Sequence, residues 1–277
     1  MKISLFTLLL TLSILSCHKH EDSQEGPDVP RETDSTCGPL LQKTLITQTA
    51  SLTDSAWVQV PCHYYYSRTK DSTYPLVIYL NGMYEGSKYG NLNKLLGVGL
   101  PYFLKDSVRF AFDVNGVNEK MIVLSPQSPE GYLSSTEVNN MINDALRKYR
   151  VDTKRIYLTG VSAGAYSILN YVTDKPEYAA RIAAIVPMST TELDSTHKAH
   201  LKYIADANIH VKVFCGDKDV QYLPTNKEYV DIINKYSQGL ANFTSYNGYH
   251  GSWNNLYNLS NRYYNPNIYE WMLQFHR

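Results

Sequence analysis

The stretch Arg155-Ile-Tyr-Leu-Thr-Gly-Val-Ser-Ala-Gly-Ala165 joins three local signals. Ile156 to Leu158 is a short apolar run of the kind that forms a buried strand. It leads into Gly160-Val161-Ser162-Ala163-Gly164, and a helix-like segment follows from Ala165 to Thr173. Strand, sharp turn and helix put a serine at the tip. A bend that tight crowds the Cβ atoms two residues to either side, and Gly160 and Gly164 remove them. A Gly-flanked serine also arises by chance in ordinary turns, so its meaning depends on the rest of the chain.

Outward from that stretch, apolar runs recur with helical segments between them. The runs are Pro75–Leu80, Met121–Leu124, Arg155–Thr159, Ile182–Val186, His210–Cys215 and, weakest, Asn242–Tyr246. Strands apolar on both faces belong in a parallel sheet covered by helices. Thr136–Arg150 carries Val138, Met141, Ile142, Ala145, Leu146 and Tyr149 on one face at helical spacing. Thr225-Asn-Lys-Glu228 reads as a capping box opening a helix. Ser195–Ala205 and Ile268–His276 are further helical candidates. Leu40–Thr49 and Ala56–Tyr66 read as an antiparallel pair at the sheet edge. The expectation is an α/β fold in one domain, with a mostly parallel, doubly wound sheet.

Sites in such sheets form at the carboxyl ends of the strands, so the loops that follow strands carry the chemistry. After Leu80 comes Asn81-Gly82-Met83-Tyr84-Glu85-Gly86. After Cys215 comes Gly216-Asp217-Lys218-Asp219. After Tyr246 comes Asn247-Gly248-Tyr249-His250-Gly251-Ser252-Trp253. A serine, an acid and an imidazole therefore sit on separate loops in the chain order Ser, Asp, His. A serine hydroxyl is a poor nucleophile at neutral pH. An imidazole, ordinarily titrating near pKa ~6.5, can take its proton and return it to a leaving group. A carboxylate fixes the imidazole's tautomer and stabilises its charged form. Asp217 and Asp219 both stand in position for the acid.

The whole of this pattern resembles the α/β-hydrolase fold, over nearly all of the chain after Cys37. More narrowly it is similar to the secreted carboxylesterase and phospholipase-like branch, often labelled "predicted peptidase", which is related to bacterial carbohydrate esterases. The stretches that carry the resemblance are Tyr74–Gly82, Leu124–Gln127, Val151–Ala165, Gly216–Asp219 and His250–Asn254. The resemblance implies Ser162 as nucleophile, Asp219 as the acid and His250 as the base. It implies an oxyanion hole made by the backbone N–H groups of Ala163 and Met83. It implies no metal and no cofactor, and an ester as the partner in reaction. Gln127 and Trp253 are candidate substrate contacts, although for Trp253 packing under the His250 loop is the favoured role. This sequence departs from the pattern at Asn81, where the family usually has histidine beside the oxyanion glycine.

The N-terminus is different in kind. Met1-Lys2 is positive, and Ile3–Leu15 is apolar but too short for a stable membrane span. This reads as a secretory signal peptide. Its end, Ile14-Leu15-Ser16-Cys17, resembles the lipobox of bacterial lipoproteins. That implies a signal peptide over 1–16, lipidation of Cys17, a flexible tether over 17–37 and a hydrolase domain over 38–277. The location implied is the bacterial cell envelope, lipid-anchored on its periplasmic face or at the cell surface. Several acyl chains would hold firmly, since each buried CH₂ contributes about 0.8 kcal/mol. Cys37 and Cys62 could pair in an oxidising compartment, whereas Cys215 ends an apolar run and reads as a buried small hydrophobe. No Cys/His spacing resembles a metal site.

Composition removes other classes. The chain has 277 residues, 43% hydrophobic and 19% charged, with zero formal net charge. That balance supplies a sizeable core and leaves no electrostatic footprint for nucleic acid. Tyrosine is abundant, 24 against 7 Phe and 3 Trp. An apolar ring with a polar tip suits a sugar- or aromatic-lined groove, though composition bias is the better account of the excess. The reading is a serine hydrolase of carboxylic esters, with acyl or feruloyl esters on polysaccharides as the leading substrates. The alternatives are a serine peptidase of the same fold and a glycan-binding lipoprotein without catalysis.

Overall fold

The computed structural model describes residues 41–47, 53–61, 64, 72–83, 85, 91–105, 110–128, 131–260 and 264–277. Cys17, Cys37 and Cys62, with the signal peptide and tether, lie outside the described residues. The described residues fall within one compact unit, Thr36–Arg277.

Ten strands are described: β1 (Leu41–Thr47), β2 (Thr53–Gln59), β3 (Tyr74–Leu80), β4 (Ala111–Val114), β5 (Val117–Lys120), β6 (Ile122–Pro126), β7 (Val151–Val161), β8 (Ala184–Met188), β9 (His210–Gly216) and β10 (Ala241–Tyr246). Eight of them form one sheet in the order β1-β2-β6-β3-β7-β8-β9-β10. From β6 to β10 every pairing is parallel. β1 and β2 add an antiparallel edge, and β2 runs antiparallel to β6. The chain goes from β3 to β6 on one side and then crosses to β7 on the other. β3 and β7 thus flank the switch point at which a crevice opens beyond the strand ends.

The central strands of the sheet feed two cores. β3 sends Leu76, Ile78 and Leu80 into one and Val77 and Tyr79 into the other. The first core is closed by the helices Ser135–Lys148, Ala163–Asp174 and Leu223–Tyr236. The second is closed by the helices Pro101–Leu104, Asn254–Tyr257 and Ile268–Met272. Helices on both faces of a mostly parallel sheet give the doubly wound α/β class.

The tyrosine excess has a structural destination. Tyr79, Tyr157, Tyr171, Tyr229, Tyr257 and Tyr269 are among the largest fully buried side chains. Each hydroxyl has a partner: Tyr79 donates to Glu85, Tyr157 to the Phe275 carbonyl, Tyr171 to Asn139 and Tyr269 to the Tyr257 carbonyl. Tyr229 accepts from the Leu193 N–H, and Tyr257 shares a proton with Thr159. Buried phenols need such partners, because an orphaned hydroxyl costs about 1–3 kcal/mol. These six serve the core rather than a sugar-binding groove.

Several local expectations are corrected. The helix expected from the Thr225 capping box starts at Leu223, with Pro224 in its first turn and no side-chain cap. Proline's fixed φ and missing N–H suit that turn, and it displaces the start upstream of Thr225. The segment 195–205 is two short helices, Ser195–Ala199 and Lys202–Asp206, rather than one. The C-terminal helix ends at Met272 instead of reaching His276. β7 extends to Val161, right up to the serine. The hairpin β4–β5 was not anticipated, although Asn115-Gly116 between the strands is a strong hairpin signal. Both residues have positive φ, 52° and 81°, as a type I′ turn requires.

Candidate active site

β7 ends at Val161 and the helix Ala163–Asp174 begins one residue later, so Ser162 alone makes the turn. It does so at φ 52°, ψ −115°, a conformation that non-glycine residues rarely hold. The neighbouring glycines make room for each other, as expected, a Cβ on Gly160 lying 3.1 Å from the Gly164 carbonyl carbon, and they make room for a further neighbour. A Cβ on Gly160 would lie 2.6 Å from the Leu80 carbonyl oxygen, and one on Gly164 only 2.1 Å from it. The glycines therefore seat the turn on the end of β3, as well as easing the turn itself. The Ser162 N–H donates to the Met188 carbonyl at 2.9 Å, which anchors the turn to β8 as well.

His250 and Asp219 converge on this serine. His250 Nε2 stands 3.0 Å from Ser162 Oγ, and His250 Nδ1 stands 2.9 Å from Asp219 Oδ2. Asp219 is buried, only 5% exposed. Its Oδ2 also faces the Sγ of the buried Cys215 at 3.7 Å, and that sulfur faces Ser189 Oγ at the same distance. Burial beside this carboxylate pushes the Cys215 thiol up to about 12, so it stays protonated. The imidazole ring is held between Tyr222, 4.8 Å away, and Trp253, 5.0 Å away edge-on.

The loops that carry Asp219 and His250 are bound to each other. Asp217 N–H donates to the Tyr246 carbonyl, Lys218 N–H donates to the Gly248 carbonyl, and Asp217 Oδ1 accepts the Gly248 N–H. A Cβ on Gly216 would lie 2.2 Å from the Gly248 oxygen. Of the two aspartates open in the sequence, Asp219 faces the imidazole and Asp217 braces the loops.

The β3 loop borders the turn on its other side. Gly82 lies within 3.5 Å of Val161, measured from where its Cβ would be. The Gly82 carbonyl accepts from Asn81 Nδ2 at 2.9 Å and from the Glu85 N–H at 3.2 Å. Because the peptide unit is planar and trans, fixing that oxygen fixes the Met83 N–H that points the opposite way. Among the described residues, neither the Met83 nor the Ala163 N–H donates to a protein acceptor. The latter is one of the open donors at a helix start. Asn81, in place of the usual histidine, also spans to the β6 loop: Oδ1 accepts the Ser128 N–H at 2.9 Å and Nδ2 approaches the Ser128 carbonyl at 3.2 Å.

Gln127 and Trp253 are placed differently from open substrate contacts. Gln127 is fully buried and donates its amide to the Asn91 carbonyl. Trp253 is buried too, packed beneath His250 with its Nε1 directed at Ser189 Oγ, 3.4 Å away. The exposed apolar side chains near the strand ends are others: Met83, Tyr132, Val220 and Tyr249, on the loops after β3, β6, β9 and β10. Their single positions on polar loops carry no sequence periodicity. Only the fold reveals that they share one edge.

Comparison with solved structures gives the fold. A thermostable esterase superposes with a TM-score of 0.62 at 21% identity, covering 86% of this chain and 64% of its own. The fold is that of the α/β-hydrolases. A ferulic acid esterase matches with a TM-score of 0.50 at 16% identity, over 76% of this chain and 90% of that one. An acylaminoacyl peptidase of Pyrococcus horikoshii matches with a TM-score of 0.53 at 12% identity, over 79% of this chain and 39% of that one. This chain thus spans less than two thirds of the esterase's length. No protein-family model matches the sequence, and no curated protein is similar to it. Within the α/β-hydrolase fold, the loops after β7, β9 and β10 are where Ser162, Asp219 and His250 stand.

Proposed function

We propose that the protein is a serine hydrolase of carboxylic esters. The observation that carries this reading is the continuous chain from Ser162 Oγ through His250 to Asp219, at 3.0 and 2.9 Å. In this reading His250 Nε2 takes the Ser162 proton as Oγ bonds to the ester carbonyl carbon. The oxygen of the tetrahedral intermediate receives hydrogen bonds from the Ala163 and Met83 N–H groups. His250 passes the proton to the leaving alcohol and an acyl-enzyme remains. Water, deprotonated by the same imidazole, attacks the acyl carbon, and the proton returns to Ser162 as the acid departs. Asp219, buried and turned to Nδ1, keeps Nε2 as the acceptor and balances the imidazolium charge.

The substrate we infer is an ester with an apolar or aromatic acyl group, with acyl or feruloyl esters of polysaccharides as the leading class. Met83, Tyr132, Val220 and Tyr249 support this, since they expose apolar surface on the loops at the same strand-end edge as Ser162. The lipobox-like Cys17 supports a tethered envelope enzyme with access to extracellular polymers. The likeness to an acylaminoacyl peptidase motivates the second reading, a peptidase of this fold. A binder without catalysis is disfavoured by the complete Ser-His-Asp contact.

A fluorophosphonate probe tests the reaction class. Wild-type protein is expected to be labelled and Ser162→Ala is not, and an unlabelled wild type overturns the reading. A panel of acetyl, feruloyl and longer esters beside a peptide amide ranks the substrates. Faster turnover of the amide would favour the peptidase. For the anchor, Cys17→Ala is expected to release the protein from membranes, and unchanged membrane association rejects it.

A further inference from the structure

Glu85 has no part in the reaction as described, yet this half-buried residue turns its carboxylate to the peptide that matters most to it. Its own N–H donates to the Gly82 carbonyl at 3.2 Å. Its carboxylate accepts the Gly82 N–H and, through Oε2, the Tyr79 hydroxyl at 2.7 Å. Backbone and side chain of Glu85 thus close on Gly82 from both sides, as the two halves of a capping box do. Tyr79 is itself immobilised: it is fully buried in β3, edge-on to Tyr257, and a Cβ on Gly99 would lie 2.3 Å from its oxygen.

We propose that Glu85 is a positioning residue for the Gly82–Met83 peptide, the oxyanion donor of the reading above, and that its ionisation makes that positioning depend on pH. The proposal rests on that reading of Ser162. Ionised, the carboxylate accepts from both Gly82 and Tyr79 in charge-assisted bonds. Protonated, it must offer one oxygen as a donor, and its hold on the loop weakens. Burial pushes the Glu85 carboxyl up to about 7, so this change falls in the working range of a serine hydrolase. The groups that act on it are the phenols of Tyr79 from β3 and Tyr257 from the helix Asn254–Tyr257. Tyr269 bears on the cluster through Tyr79. Burial drives all three phenols above their ordinary value, so they stay neutral while Glu85 titrates.

The test compares wild type, Glu85→Ala, Glu85→Gln and Tyr79→Phe on p-nitrophenyl acetate from acid to alkaline pH, with fluorophosphonate labelling alongside. Glu85→Ala is expected to lower kcat by about 10- to 100-fold with little change in KM, as a misplaced donor does. Glu85→Gln mimics the protonated carboxyl, keeping one acceptor and turning the other into a donor, so it is expected to recover only part of that loss and to stay below the wild type at alkaline pH. In wild type the acid limb of log kcat/KM is expected to be steeper than unit slope, because base and positioning group must both be ionised correctly. In Glu85→Gln it returns to unit slope. Tyr79→Phe keeps the buried ring and removes one donor from the carboxylate, so it is expected to move the acid limb up by about 0.5 pH unit or more. This arm holds if Glu85→Ala fails to fold. A labelled, active wild type whose acid limb is unchanged by Glu85→Gln and Tyr79→Phe overturns the role of Glu85 alone. An unlabelled, inactive wild type overturns the Ser162 reading and this proposal with it.

Discussion

Gly164 meets the carbonyl of Leu80 so closely that a side chain on the glycine would place its Cβ 2.1 Å from the oxygen. The contact joins the helix behind the serine to the strand that carries the Asn81–Glu85 loop. Gly164→Ala is therefore expected to push these two elements apart. Overpacking of this kind costs about 1–3 kcal/mol of stability. Turnover is expected to fall further than stability, because Ser162 and the Asn81–Glu85 loop, the proposed oxyanion loop, are the parts displaced. Urea unfolding checks the first effect and ester kinetics the second. A variant with wild-type midpoint and rate would show that the neighbouring backbone yields freely.

Asn81 lies between two loops, and its amide pairs with Ser128 as one peptide pairs with another. Asn81→Ala leaves the N–H and carbonyl of the buried Ser128 without that partner, which costs about 1–3 kcal/mol. Removing the donor to the Gly82 oxygen is expected to lower kcat as well. Asn81→His can restore only part of this, since one ring cannot present a donor and an acceptor on the same edge. Equal kcat in all three proteins would assign the Asn81 bonds to the fold alone.

Asp219→Asn preserves size while reversing the hydrogen-bond preference at His250 Nδ1. The imidazole is then held in the tautomer that presents N–H, not a lone pair, to Ser162. A fall in kcat on the order of 10⁴-fold is expected. Asp217→Asn, by contrast, is expected to keep most of the activity, because Asp217 contacts only backbone. If the two variants behave alike, the acid has been misassigned.

Stability should also register Glu85. Its ordinary value of 4.5 is raised to about 7 in the fold. The native state therefore holds a proton that the unfolded chain has lost over this interval, and stability falls as pH rises through it. Its contribution is fully present below about pH 4.5 and is lost as pH passes about 7. Glu85→Gln removes this dependence. Urea midpoints at about pH 5 and about pH 8 are expected to differ less in the variant than in wild type, and equal differences would place the titration elsewhere.

The sheet and the turn at Ser162 were legible because they rest on local signals. Apolar runs such as Leu76–Leu80 announce buried strands, and Gly160 and Gly164 announce close backbone. The loops after β9 and β10 were legible by position alone, once the strands were placed. Helix starts were less so, since Pro224 overrode the Thr225 capping pattern through a constraint on φ that outweighs a side-chain bond. Gln127 looked like a pocket residue, and Trp253 was open between pocket and packing, because chemistry at a strand end is visible in a sequence, whereas the direction of a side chain is not. Glu85 and Ser128 were silent for the same reason. Glu85 turns its carboxylate back to Gly82 and Tyr79 on its own loop and strand, and Ser128 meets Asn81 across 47 residues of chain.

His250 is carried by β10, the last strand of the sheet, paired on one side only, whereas Ser162 is carried by β7 near its centre. Opening free energies differ along a structure, being lowest at margins with few neighbours. The proposed reaction therefore inherits the durability of its weakest margin. Warming should silence the protein by loosening β10, together with the acid loop bound to it, while the strands around Ser162 remain closed. Cooling should restore activity without any need to refold the whole molecule.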